Sequence, residues 1–451
     1  MLAAPNSALA ADQIVFLDDE ASAATVAASV GSTTKLEVTN VANAFSADLS
    51  SGQVDQLLDD PAVIDVQPDT VFALMPFKRA PFKRAPFKRA PFKRGDVGAP
   101  WSTQITPTGV ARITAGRLRS GPINADIAIL DGGIDAAHPD LNVAGAISCV
   151  PGAGPEDVDG HGTMVAGLAA ASDNGYGIIG AAPGARIWSI KVADADGVIM
   201  ESAALCAMEW VLARTDTIDV VNMSWAGEFA PSETSCASAT SRFQNRTSWW
   251  RTNRNPRSRL TARQLRLMPF KRGTRSGSTP TPEGPADGDD ATIDALQALT
   301  CKVYDQGVTL VAAAGNDGKD AAGYLPAAWP QVMAVSSMAD TDGRRGGRGP
   351  AGCVTGDRDD YMSSYSNYGK VIAIAAPGEC LLSTDIDDNY AVGSGTSFAA
   401  PLVSGAAARL TAQFPRSGPR QIRTLLLATA ERGPIPGDPD RYKEGLLRML
   451  R

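Results

Sequence analysis

The nine residues Gly393-Ser394-Gly395-Thr396-Ser397-Phe398-Ala399-Ala400-Pro401 admit few folds. Glycines at 393 and 395 open backbone conformations closed to other residues. Thr396 suits a helix N-cap, and Pro401 fits the first helical turn or the position just past it, where a missing N–H costs least. The run 402–408 that follows is a helix of small residues suited to close packing. The stretch reads as a turn that delivers one serine, Ser397, to the positive end of a helix, among N–H groups suited to an oxyanion. A capped buried helix would look the same, so the reading depends on what else the chain supplies.

A serine hydroxyl is a weak nucleophile until a base stands within hydrogen-bond reach, and the chain has two histidines. His138, in Ala137-His138-Pro139-Asp140, reads as a loop residue. His161, in Asp159-Gly160-His161-Gly162-Thr163, opens a helix with a small-residue face of Gly162, Ala166, Gly167 and Ala170. Such a base needs a carboxylate to hold its tautomer and stabilise the imidazolium. Asp131 closes the apolar run Ile127-Ala128-Ile129-Leu130 ahead of two glycines, and an acid at the end of a buried strand is costly without a partner. An α/β-hydrolase would require Gly-x-Ser-x-Gly and the order serine, acid, histidine. Here residue 399 is alanine and the order is acid, histidine, serine.

These stretches resemble the subtilisin family of serine proteases, nearest its proteinase K-like members, over about 97–430 apart from one insertion. The sedolisin relatives share a Gly-Thr-Ser turn but use a glutamate base, and His161 in its Asp-Gly-His-Gly-Thr setting argues against them. The resemblance implies an α/β fold, a three-layer α/β/α arrangement around a mostly parallel sheet. It makes Asp131, His161 and Ser397 catalytic, and Asn316, in Ala313-Ala314-Gly315-Asn316-Asp317, the oxyanion donor alongside the Ser397 N–H. It sets a substrate-binding edge at Ser224-Trp225-Ala226-Gly227 and an opposite wall at Ala313-Ala314-Gly315. Between them lies an apolar slot for a large apolar or aromatic residue before the scissile bond. Ala226 stands where the family usually has glycine and narrows that slot. The resemblance also implies disulfides Cys149–Cys206, Cys236–Cys301 and Cys353–Cys380, and no cofactor for the chemistry. It suggests structural calcium, for which the acidic stretches 357–360 and 385–388 are candidates beside the plainer reading of solvated loops. The competing class is a catalytically dead, peptide-binding homologue, against which stands an intact set of triad positions.

Composition bounds the rest. The 451 residues suit one large domain with a small one, and no apolar run approaches the roughly 18 residues of a membrane span. The formal charge of −7 conceals a division: 75–95 and 237–275 hold 8 and 11 Lys/Arg and no acid, which leaves 23 basic against 49 acidic side chains elsewhere. So acidic a body excludes nucleic acid as a partner and suits a soluble monomer whose partners are protein or peptide substrates. Six cysteines without Cys-x-x-Cys spacing suit an oxidising compartment, with many pairings open.

In chain order, residues 1–13 read as a leader or truncated signal peptide. Ala8-Leu9-Ala10 looks like a cleavage site, but the charged and long apolar parts are missing, so secretion rests on the resemblance and the cysteines. Residues 14–74 read as a small α+β, ferredoxin-like unit, with strands at 14–17, 35–41, 44–47 and 63–69 and helices at 21–30 and 51–58, the second opened by a serine. By the resemblance this is an inhibitory propeptide that chaperones folding and leaves its C-terminal tail in the active cleft. Pro-Phe-Lys-Arg then occurs four times in 75–95, where proline blocks helix and central strand and predicts an exposed linker. Cleavage by a kexin-like processing protease after Arg94 or an earlier pair would activate the chain, with self-cleavage elsewhere as the alternative.

The catalytic domain, 96–435, reads as strands at 127–131, 186–192, 219–224, 332–336 and 371–375 and helices at 202–214 and 421–430, and 101–113 resembles the family's entry helix. Such alternation argues a parallel sheet with active residues at strand C-terminal ends. Within it 237–290 is basic, then acidic and rich in Pro and Gly, and reads as a disordered insertion. It is a segment cut at Arg272, a gene-prediction artefact or a polyanion-binding arm. Asn245-Arg246-Thr247 is a glycosylation sequon; Asn222-Met223-Ser224 also matches but falls in a strand read as buried. Residues 436–451 form a C-terminal tail, read with 431–435 as peripheral.

Overall fold

The computed structural model describes residues 11–39, 43–74, 104–115, 121–229, 236 and 291–449. The readings made for the linker 75–95 with Arg94, and for 237–290 with Asn245 and Arg272, lie outside the described residues. The chain divides into two compact units: Met1–Val71 with Met200–Trp210 and Thr234–Lys302, and Phe72–Ile199 with Val211–Glu233 and Val303–Arg451.

The first unit holds an antiparallel sheet in the order Leu36–Val38, Asn43–Leu49, Ala11–Leu17, Val63–Pro68. Its first strand begins at Ala11, inside the stretch read as leader. Val15 sits mid-sheet, opposite Phe45 on one side and Val66 on the other. The helix Ser51–Asp59 is capped by Ser50, because only Ser50 has a glutamine three residues on that returns the bond: Gln53 Oε1 accepts from Ser50 N at 2.9 Å. Asp69 plays a similar part for the helix Glu201–Leu212, its Oδ1 accepting from Ser202 N at 2.9 Å where helix N–H groups lack internal partners. Glu209 of that helix accepts from Thr39 N at 2.8 Å.

The second unit is built on an eight-stranded sheet. Its order is Tyr361–Met362, Val332–Ala339, Thr309–Ala313, Val220–Met223, Asp126–Asp131, Arg186–Lys191, Val143–Ser148, with Ile372–Glu379 also paired to Val332–Ala339. All pairs are parallel except that of Tyr361–Met362. The central strands are buried at every residue, as unbroken apolar runs require when both faces are covered. Val143–Ser148 escapes a sequence reading because it lies at the edge and is only half-buried, so its run of Val-Ala-Gly-Ala carries little apolar contrast.

Asp126–Asp131 is the first strand of this sheet, and its successors go to opposite sides: Val143–Ser148 and Arg186–Lys191 to one, Val220–Met223 and Thr309–Ala313 to the other. The crevice beyond the C-terminal ends of Asp126–Asp131 and Val220–Met223 is therefore the switch point where such folds hold ligands. The helices His161–Ala170 and Thr396–Gln413 meet closely, since a Cβ added at Gly405 would lie 2.6 Å from Ala169 O.

Two sequence expectations are corrected here. The helix expected at 101–113 runs instead from Thr108 to Thr114. Pro107 holds the N-cap and biases Thr106 away from helix, while Ile105 bridges Ile178. The tail after 430 is not peripheral: Leu446 bridges both Ala375 and Glu431, and Leu447 is fully buried. It covers the strand Ile372–Glu379, and a covered sheet edge is one closed to foreign strands. Disulfides join Cys236 to Cys301 and Cys353 to Cys380, and Cys149 and Cys206 are likewise disulfide-bonded. Among the described residues no helix is long and apolar enough to cross a membrane.

Candidate active site

Asp131 ends its strand fully buried, and its Oδ1 lies 2.7 Å from Nδ1 of His161, also fully buried. A carboxylate can only accept, so Nδ1 carries the proton and Nε2 is left as the basic nitrogen. Burial opposes charge on the imidazole, but the charge of Asp131 and its hydrogen bond outweigh it and hold His161 above the ordinary histidine range. The flanking glycines have steric causes. Gly160, the helix N-cap, has φ of +87°, a conformation other residues avoid. A Cβ on Gly162 would collide with Gly133 O.

Two neighbours of His161 went unassigned in the sequence. Asp157 Oδ1 accepts from Gly160 N at 2.8 Å and its Oδ2 from Thr163 N at 2.8 Å, which pins the turn before the histidine and its first helical turn. Burial pushes Asp157 up to about 6 against those bonds. Asp159 Oδ1 accepts from His161 N at 2.9 Å. Both belong to the Asx-turn vocabulary of Asp-x-Asp-Gly, which the run Asp157-Val158-Asp159-Gly160 spells out.

Ser397 is the second residue of the helix Thr396–Gln413 and is fully buried. The N-cap is Gly395 rather than Thr396, whose hydroxyl is engaged elsewhere: it donates to Asn316 Oδ1 at 2.8 Å. Asn316 Oδ1 also accepts from Thr396 N at 2.9 Å. An amide oxygen holding two donors turns its Nδ2 the other way. A Cβ placed on Gly395 would meet Ser397 Oγ at 2.9 Å and Asn316 Nδ2 at 3.3 Å, so both atoms border one small space. The ring of His161 lies 5.5 Å from that of Phe398, the residue after Ser397. Ser397 Oγ carries no hydrogen bond among the described residues.

The carbonyl of Ser397 would normally accept from the residue four ahead, which is Pro401 and has no N–H. Ser224 Oγ donates to it instead, at 2.8 Å. Asn222 Nδ2 donates to Ser224 Oγ at 2.9 Å, and Ser404 Oγ to Asn222 Oδ1 at 2.8 Å. Asn222 thus works inside the sheet, fully buried, in keeping with the sequence reading of that sequon. Asn367, unread in the sequence, fixes the loop after Thr309–Ala313: its Nδ2 donates to Ala314 O at 2.9 Å, and its Oδ1 accepts from Asp317 N and Lys319 N.

Of the proposed substrate walls, Ala313 and Ala314 are fully buried at the end of their strand, and Gly315 N donates to Thr396 Oγ1 at 3.2 Å. Trp225–Glu228 is a strand. It pairs antiparallel with the extended end of Val71–Leu74, Trp225 opposite Leu74 and Ala226 opposite Ala73, while Gly227 pairs on the other side with Leu325. Phe72 is almost fully buried, its ring 5.1 Å from that of Trp225 and 5.0 Å from that of Phe229.

Carboxylate oxygens of Asp340, Asp342 and Asp359 lie within 4.8 Å of one another, close enough to share an ion. The stretch 357–360 contributes Asp359 to this group, and 385–388 contributes nothing to it. The group fits calcium poorly, because a cation is already there: Arg112 Nε is 2.9 Å from Asp340 Oδ2. Asp359 is further used by Thr341 N at 2.8 Å and Gly349 N at 2.7 Å. Burial pushes Asp340 up to about 7 despite Arg112.

The sequence profile of the Subtilase family matches residues 124–445. Subtilisin NAT of Bacillus subtilis subsp. natto is 27% identical over 416 residues, 90% of this chain and 80% of that protein. Subtilisin DY of Bacillus licheniformis is 29% identical over 354 residues, 77% of this chain and 98% of that protein. Subtilisin BL of Lederbergia lenta is 30% identical over 348 residues, 76% and 97% of the two chains. The crystal structure of a cold adapted subtilisin-like serine proteinase superposes with a TM-score of 0.53 at 22% identity, over 76% of this chain and 98% of that one, and so shares its fold. The α/β sheet, the match across most of the chain and the relatives agree: this protein belongs to the subtilase family and is a subtilisin-like serine endopeptidase.

Proposed function

We infer that the protein is a secreted protease made as a zymogen, cutting peptide bonds through an acyl-enzyme. Ser397 attacks the carbonyl, and His161 takes its proton and returns it to the leaving amine. Asp131 holds the imidazole in its tautomer, and Asn316 Nδ2 with the Ser397 N–H receives the oxyanion. The observation that carries this reading is His161 bonded to Asp131 at 2.7 Å while its ring packs on Phe398, next to Ser397. No cofactor takes part in the steps.

Residues 14–74 act as the propeptide, and the strand pairing of 73–74 with Trp225 and Ala226 supports a tail that fills the cleft until removed. Activation follows cleavage in the Lys-Arg linker, at Arg94 or an earlier pair. Disulfide-bonded cysteines support an oxidising, extracellular destination. The wall of Ala313-Ala314-Gly315 supports a preference for a large apolar or aromatic residue before the scissile bond. The test is casein hydrolysis by the processed protein, with and without a serine-directed covalent inhibitor, beside Ser397→Ala. Inhibition and a loss of about 10⁶-fold in the variant are expected, a magnitude carried over from the subtilisin triad. Hydrolysis that survives both would overturn the reading.

A further inference from the structure

A buried carboxyl stands close to the turn that carries Ser397. Glu379 ends the strand Ile372–Glu379 with no exposed surface. Its Oε1 accepts from Val354 N at 2.9 Å, and its Oε2 is buried without a donor among the described residues. Another acid faces it there: Asp357, whose Oδ2 accepts from Ser364 N at 3.0 Å. The space is tight, since a Cβ on Gly352 would collide with Glu379 Oε1 and lie 3.2 Å from Asp357 Cβ. Two carboxylates so placed do not both ionise readily. The disulfide Cys353–Cys380 ties the loop that carries Asp357 to the residue after Glu379, so the acids cannot part by that loop swinging away.

Three hydroxyls lead from this pair to the turn. Ser337 Oγ lies 3.0 Å from Ser363 Oγ and 2.9 Å from Tyr365 Oη, and Tyr365 Oη lies 3.0 Å from Gly378 O. A carbonyl only accepts, so the Tyr365 hydrogen goes to Gly378 O. Ser337 then has to donate to Tyr365, and Ser363 to Ser337. Three hydrogens make three bonds that all point one way, and the Ser363 oxygen is left as an acceptor toward Glu379. A protonated Glu379 meets that oxygen as a donor. An ionised one draws the Ser363 hydrogen to itself and leaves one contact of Ser337 without a hydrogen, which is costly in a buried site. At the far end Gly378 O also accepts from Gly395 N at 2.8 Å, and Cys380 N donates to Ser394 Oγ at 3.0 Å. Residues 378–380 therefore hold both residues ahead of Thr396 and Ser397.

We propose that Glu379 in its protonated form is a positioning residue for the reaction, directing the hydroxyl chain that steadies the turn ahead of Ser397, and that its ionisation slows catalysis. The proposal rests on the reading under Proposed function. Burial, with the charge of Asp357, pushes Glu379 up to about 7. A carboxyl so raised contributes fully below the ordinary glutamate range, and its contribution is lost as pH rises through about 7. Asp357 and Tyr365 are the titratable groups that face Glu379 among the described residues, and burial holds the Tyr365 phenol protonated across this range.

The test is the pH profile of kcat for the processed enzyme on one peptide amide at saturating concentration. In the wild type kcat should fall about tenfold as pH rises past about 7, the order of one buried hydrogen bond, and recover when pH is lowered again. Glu379→Gln carries an amide donor at every pH and should lose that fall, whatever its maximal rate. Tyr365→Phe breaks the chain at its far end and should lower kcat and flatten the alkaline side as well. Infrared difference spectra across about pH 6–9 should show a protonated carboxyl that disappears in the wild type and is missing from Glu379→Gln, a readout that does not depend on rate. A wild-type profile flat on its alkaline side overturns the proposal, as does a fall unchanged in Glu379→Gln or a wild type without the titrating carboxyl. If casein is cut by the wild type and not by Ser397→Ala while these results fail, the proposal alone falls. Casein hydrolysis that survives Ser397→Ala takes the protease reading with it.

Discussion

Asn316 works through its oxygen as much as its nitrogen. Because Oδ1 is held by both Thr396 N and Thr396 Oγ1, Nδ2 would need no reorganisation in the proposed mechanism, where charge develops beside Ser397. Asn316→Ala should lower kcat by about 10²–10³ and leave KM nearly unchanged, read by steady-state kinetics on a peptide amide. In the proposed mechanism the neutral form of His161 is the base; Asp131 holds its pKa above the ordinary value against burial, so activity should fail as pH drops through a midpoint above about 6.5. Asp131→Asn removes the cause of the raised value. The acid limb of the pH–rate profile should then move downward while kcat falls on the order of 10⁴-fold. Asp131, His161 and Asn316 were legible as candidates because each sits in a short run of glycines and small residues that sets it apart from its surroundings. Asp157 and Asn367 were not singled out. What marks Asn367 is bonds to a loop about fifty residues away, and an asparagine in a Ser-Asn-Tyr-Gly turn looks like any other.

The helix that carries Ser397 depends on a proline that sequence reading credited only with harmlessness. Pro401 frees the Ser397 carbonyl, and the strand end at Ser224 takes it up, tying helix to sheet at Ser397. Ser224→Ala would leave that buried carbonyl without its hydroxyl partner. A loss of about 1–3 kcal/mol is expected, measured by urea unfolding in a Ser397→Ala background to prevent self-digestion. Strand and helix positions followed from apolar runs and their stops, with ends that moved by a few residues. The misread elements were those whose signal was weak or local chemistry ambiguous. Val143–Ser148 lacks apolar contrast, the 101–113 helix is cut short by Pro107, and the cap assigned to Thr396 passed to Gly395 because Asn316 claims its hydroxyl.

For the whole molecule, the consequence is that one chain supplies both the strand proposed as the substrate edge and the strand that pairs with it. Phe72 is the anchor of that strand, packed between Trp225 and Phe229. Truncating a buried aromatic to alanine costs about 3–5 kcal/mol, so Phe72→Ala should raise the basal activity of the unprocessed chain on the order of a hundredfold. Hydrolysis of a small peptide amide before any linker cleavage checks this. The sequence alone determined the family, the candidate triad and the alternation of a parallel sheet, because these rest on local patterns: turn residues, periodicity and the cost of a lone acid in a buried strand. Tertiary structure decided which polar atoms meet, that the tail from 431 onward packs on a sheet edge, and which residues of the 71–74 stretch face Trp225 and Gly132. Those facts depend on distances between segments remote along the chain, and neither propensity nor spacing encodes them.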